Sequence, residues 1–174
     1  QFDQNAVLQE ALAPAKMLRV RSGGTCHRDP AEEKILYEEK DSAAIRKFAE
    51  QLRIVPDRRG FHCMCCGDPT FEFYDGTKLI AMVGFHHGQS LRWLGGWPSD
   101  GMLAPECAKF LIDFLAGHGV KGPKEAIEEQ QRQEDSFRNR MKTALAGLRP
   151  EFAETFKKAL KGFGNPMNDE KPGA

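Results

Sequence analysis

Apolar positions in the first two-thirds of this chain recur mostly at the spacing of a β-strand, and those of the last third at the spacing of an α-helix. Residues 16–21 (Lys16-Met17-Leu18-Arg19-Val20-Arg21) set Leu18 and Val20 against Arg19 and Arg21, which predicts a strand with one face buried. Residues 34–37 predict a second strand, and residues 60–66, 70–74, 78–85 and 89–93 predict four more. Asp75-Gly76 sits between two β-rich runs, a two-residue hairpin signal. Ile45, Phe48, Ala49 and Leu52 fall on one face of a helix capped by Asp41 or Ser42. Residues 1–15 read as a short helical or irregular lead-in. Pro105 suits the first turn of a helix that buries Cys107, Phe110, Leu111, Phe114 and Leu115, with Gly117 or Gly119 ending it.

Beyond Gly122-Pro123 the pattern changes. Phe137, Met141, Ala144, Leu145 and Leu148 form one apolar stripe; Phe152, Phe156, Ala159, Leu160 and Phe163 form another, with Arg149-Pro150 between them. Two amphipathic helices, over about 124–148 and 151–163, are expected to turn these stripes to a common surface. The fold class is therefore α+β: an antiparallel β-meander with one or two packed helices, followed by a C-terminal α-helical hairpin. The expected organisation is an α+β domain over 1–122, a helical appendage over 123–163 and a disordered polar tail over 164–174.

Composition narrows the functional classes. Lys+Arg and Asp+Glu are equal at 25 each, so no net field draws the chain to nucleic acid. No apolar run reaches the eighteen or so residues of a membrane span. The five cysteines are an odd number and Cys65-Cys66 are adjacent, a poor basis for a disulfide framework. Reduced thiols and a cytoplasmic setting fit that pattern. The first residue, Gln1, is equally compatible with a removed signal peptide.

The chemistry is concentrated in one place. Three of the five cysteines (Cys63, Cys65, Cys66) and three of the five histidines (His62, His86, His87) fall within residues 62–87. Thiolate and imidazole are the ligands preferred by zinc and the softer transition metals. If residues 60–66 are a strand, Cys63 and Cys65 share a face, and His86 and His87 face opposite ways, so one of the two histidines joins the cysteines. The expected metal ligands are thus Cys63, Cys65, His86 and His87, with Cys66, Cys26 and His27 as further ligands. His62 is expected to be an exposed residue, and His118 to complement the end of the Cys107–Leu115 helix.

Three functions remain open on this evidence. The first is a metal-binding, zinc-type domain. The second is a thiol-dependent enzyme that uses the same cysteines in redox or Cys-His nucleophilic chemistry. The third is an interaction module with structural cysteines, whose C-terminal helices meet a protein partner or a second copy. Arg92 and Trp93 are expected beside the histidines as a ligand-binding pair, the guanidinium taking an anionic group. Ser90 with His86 or His87 and an aspartate such as Asp68, Asp75 or Asp100 forms a weaker hydrolytic alternative, since no G-x-S-x-G elbow is present.

Overall fold

A computed structural model describes residues 2–26, 28–29, 31–55 and 62–162. The side chains at 156, 157 and 159–162 lie outside that description, as do His27, the start of the expected strand at 60–66, and the 164–174 tail. The chain divides into two compact units, Gln1–Ile127 and Glu128–Ala174.

The first unit runs α1 (Gln4–Leu12), β1 (Met17–Arg21), β2 (Ile35–Glu39), α2 (Ser42–Gln51), β3 (Ile54–Val55), β4 (Thr70–Asp75), β5 (Lys78–His86), β6 (Ser90–Trp93), β7 (Gly101–Leu103) and α3 (Pro105–Gly117). Among the described residues the strands form one seven-stranded antiparallel sheet, in the order β2-β1-β4-β5-β6-β7-β3. The class is α+β, as the patterning implies.

Local chemistry accounts for the helix starts. Asp3 accepts from the amides of Asn5 and Ala6, Asp41 accepts from Ala43, and Pro105 opens α3, where a missing N–H costs nothing. The three helices bury Leu8 and Leu12, then Ile45, Phe48 and Ala49, then Cys107, Leu111 and Leu115. Their sheet partners in the core are Leu18, Val20, Phe71, Phe73, Ala81, Val83, Phe85 and Leu91. Strand alternation then sends Arg19, Arg21, Thr70, Glu72, Tyr74, Met82, His86 and Arg92 to the opposite face.

The middle of that second face is also buried, at Arg21, Thr70, Glu72 and His86, because residues 22–26, 28, 33 and 62–69 reach across it. Arg21 and Glu72 are each 2% exposed. They pair at 2.7 Å, and Glu72 also accepts from the Tyr74 hydroxyl at 2.7 Å. Arg21 further donates to the carbonyls of Ser22, Gly23 and Gly24, and reaches Glu33 at 3.2 Å. Arg28 closes a bidentate pair with Glu33. A buried charge is tolerated where, as here, its donors and acceptors are satisfied. The network holds residues 22–24, Arg28 and Glu33 against the sheet.

Three features depart from the sequence reading. Of the segment expected as a strand over 60–66, residues 62–66 carry no ladder and form a bent loop, while residues 60 and 61 lie outside the described residues. The hairpin turn is displaced by one residue. Asp75 pairs with Lys78, which leaves Gly76-Thr77 as the loop, with Gly76 at φ +60° and a compensating irregularity between Phe73 and Tyr74. Strands β3 and β7 were not expected, being two and three residues long and defined by their pairing of Ile54 with Leu103.

The second unit contains most of α4 (Gly122–Ala146) and all of α5 (Pro150–Gly162). Leu145 and Ala153 are buried, but Phe137, Leu148 and Phe152 are 46%, 44% and 50% exposed. The expected common apolar surface is therefore largely uncovered at these positions. α4 is polar nearly all round, so it has little with which to seal a stripe. The side chains of Phe156 and Leu160, and residue Phe163, belong to the positions left undescribed.

Candidate metal centre

Cys63 and Cys65 stand on the 62–69 loop, and His86 is the last residue of β5. The loop's shape follows from where its backbone polar groups go. In place of strand neighbours, the Cys63 amide donates to Asp100 at 2.8 Å, and Arg92 donates to the carbonyls of both Cys63 and Cys65. The Thr25 amide donates to the Cys66 carbonyl at 3.0 Å. Gly67, at φ +73°, turns the chain into Asp68 and Pro69, where Asp68 donates to Phe85 and Phe85 donates to Pro69. A Cβ at Gly67 would lie 2.7 Å from Nε2 of His86. The close approach of the loop to the imidazole therefore requires glycine there.

Three donor atoms converge as a result. The sulfurs of Cys63 and Cys65 are 3.0 Å apart, and the Cys65 sulfur is 3.0 Å from Nδ1 of His86. All three donors lie within 4.8 Å of one another. Ligands sharing a tetrahedral ion at about 2.0–2.3 Å each are about 3.3–4 Å apart, so the group is spaced to hold a metal ion after small side-chain shifts. His86 is fully buried, and the two cysteines are half-buried.

The electrostatics favour neutral groups in the absence of a cation. Burial pushes the Cys65 thiol up, the hydrogen bond shared with Cys63 adds to this, and burial pulls the His86 imidazole down. Arg92 is the positive charge beside these sulfurs. It is engaged by Asp100 through two contacts of 2.7 Å. Burial would raise the Asp100 carboxyl, but the hydrogen bonds from Arg92 and the Cys63 amide outweigh it and hold the group below the usual carboxylate range.

The other expected site residues are placed as follows. His87 has φ +50° in the tight turn closed by Gln89 donating to His86, and its side chain is exposed, outside the triad. The turn carries the His87 side chain to solvent while His86 faces the sulfurs. The neighbouring Cys26 thiol holds the Cys66 thiol up. This second thiol pair adjoins the triad without being part of it. Arg92 and Trp93, consecutive on β6, point to opposite faces. Trp93 packs on the helix side, edge-on to Trp97 at 5.9 Å, and so does not meet the guanidinium of Arg92. His62 is exposed, 3.8 Å from Asp100. His118 caps α3 and stacks on Tyr37 at 3.9 Å. Cys107 is buried in the core, away from the other four.

Sequence reasoning missed the structural role of Asp100, which it weighed only as an orienting carboxylate, and it missed Thr25 altogether. Neither sits in a motif, and Asp100 lies 37 residues from the amide it anchors. No protein-family model, curated protein or solved structure matches this chain.

Proposed function

We propose that the α+β unit is a zinc-binding domain, with Cys63 and Cys65 as thiolate ligands and Nδ1 of His86 as the nitrogen ligand. The observation that carries this reading is the convergence of the three donors within 4.8 Å on one face of the sheet. Two thiolates and one imidazole suit a borderline-soft divalent ion that imposes no geometry of its own. They also cancel its double charge, which matters where His86 is wholly buried. Arg92 and Asp100 act as the frame. Their mutual ion pair fixes the backbone of the cysteine loop through the Cys63 amide and the Cys63 and Cys65 carbonyls. The Cys26–Cys66 thiol pair stands beside the triad as the source of a fourth ligand.

The thiol-enzyme reading keeps one specific support, the 3.0 Å contact of the Cys65 sulfur with His86 Nδ1. Nucleophilic use of that pair requires a thiolate beside an imidazolium. Burial shifts both groups the other way, toward the neutral pair. A bound cation removes the conflict, since it takes the place of the protons.

Elemental analysis of protein purified without added metal decides between the readings. About one zinc per chain, lost in Cys65→Ser and His86→Ala, supports the metal centre. Protein that stays metal-free when offered zinc, with one fast-reacting thiol among Cys63 and Cys65, supports thiol chemistry in its place.

A further inference from the structure

Two polar atoms on the buried face lack a hydrogen-bond partner among the described residues: Nε2 of His86 and Oγ1 of Thr25. Both residues are deeply buried, at 0% and 5% exposed. They also face the same small space. A Cβ built on Gly84 would lie 3.3 Å from Nε2 and 3.4 Å from Oγ1, so both orphaned atoms border the one point that this glycine leaves free. Leaving either group unpaired in the interior is costly, because each forfeits the hydrogen bond that it makes to water in the unfolded chain. One hydrogen-bonded link between them satisfies both atoms together, because a hydroxyl donates and accepts.

We infer that the Thr25 hydroxyl, after a small rotation of its side chain or across one enclosed water, is the hydrogen-bond partner of His86 Nε2, and that it is the positioning residue of the site. The chemistry of the other ring nitrogen gives the reason. Nδ1 faces the Cys65 sulfur at 3.0 Å and needs a free lone pair, whether it accepts from the thiol or binds an ion. The ring proton then resides on Nε2, where it requires an acceptor, and Oγ1 is the acceptor within the same space. A histidine ligand is held to one tautomer and one ring plane in this manner by its outer partner. Thr25 is itself held in place. Its amide donates to the Cys66 carbonyl, and the preceding Gly24 is pressed so closely on the loop that a Cβ would meet the Cys66 carbonyl oxygen at 2.1 Å. The 22–26 loop therefore carries the hydroxyl to the back of the imidazole as the 62–69 loop carries sulfur to its front.

The role in metal binding rests on the zinc reading above; the pairing itself does not. The test compares wild type with Thr25→Val, which keeps the shape and removes the hydroxyl, and with Thr25→Ser, which restores it. Zinc affinity is measured by chelator competition, and the His86 ring by ¹⁵N NMR with and without zinc. The expected result is zinc binding about tenfold to a hundredfold weaker in the valine variant and within about threefold of wild type in the serine variant. In wild type the ring proton should be on Nε2 and exchange slowly with solvent. Equal affinity in the valine variant, with the same tautomer and exchange rate, overturns the inference. If wild type binds no zinc, the zinc reading falls, and the metal-free ring spectrum still decides the pairing. A wild-type Nε2 without a protected proton refutes it even if the valine variant fails to fold.

Discussion

Replacing Asp100 by Asn tests whether the Arg92–Asp100 pair frames the cysteine loop. The Asp100 side chain is 1% exposed and the Arg92 side chain 12%. Asp100 accepts two guanidinium contacts of 2.7 Å and the Cys63 amide at 2.8 Å. The amide of Asn keeps the shape but removes the negative charge and turns a donor toward groups that are themselves donors. Removing one partner of a buried ion pair costs about 3–5 kcal/mol. The residual exposure of Arg92 screens part of that, so a loss of about 3 kcal/mol is expected. This is a large fraction of the roughly 5–15 kcal/mol available to a domain. The assay is urea unfolding with chelator present, so that no ion contributes. Arg92→Met and the double variant complete a cycle that isolates the pair from each side chain's other contacts. The double variant should be less destabilised than the two singles added together, since neither charge is then left alone. A loss under about 1 kcal/mol in Asp100→Asn, with additive singles, would refute the framing argument.

Thiol footprinting should label Cys107 last and only on global unfolding, because burial raises its thiol and Cys107 is 1% exposed; added zinc should protect Cys63 and Cys65. Gly67→Ala combines a strained φ of +73° with a contact of 2.7 Å on the His86 ring, and should weaken zinc binding at least tenfold by competition titration; unchanged affinity would deny the close approach. Leu111→Ala in α3, at a position with no exposure, should cost about 2–5 kcal/mol in urea unfolding while leaving metal content unchanged. Hydrogen bonds from Arg28 and Arg19 hold the Glu33 and Glu38 carboxyls below the usual range, so their folded pKa values are depressed. The stability they contribute is complete above the unfolded value of about 4.3 and is lost as pH falls through the folded values. Unfolding midpoints should thus decline in that acidic window, and less steeply in a Glu33→Gln, Glu38→Gln variant; parallel profiles would contradict the assignment.

Periodicity, caps and breakers specified most of the elements, because those signals act between residues only a few positions apart. The Asp41 cap and Pro105 act inside their own helices, and the Leu18/Val20 alternation and the Ile45–Phe48–Ala49 face follow from the strand and helix periods alone. The concentration of cysteine and histidine in 62–87 likewise marked where soft ligands are dense. What the tertiary structure decided was which of them meet. Cys65 and His86 are 21 residues apart, and their contact depends on the register of β5 and on the path of the cysteine loop. That path is not a strand because its amide and carbonyls are taken by Asp100, Arg92 and Thr25, partners that no local pattern identifies. Alternation also set Arg92 and Trp93 on opposite faces, and a tight turn put His87 in solvent beside a buried His86. The burial of Arg21 and Glu72 has the same origin. Each reads as a solvated strand residue until the loop that follows Arg21 folds back over the face, and the pairing of β1 with β4 brings the two charges together with the hydrogen bonds that a buried charge requires.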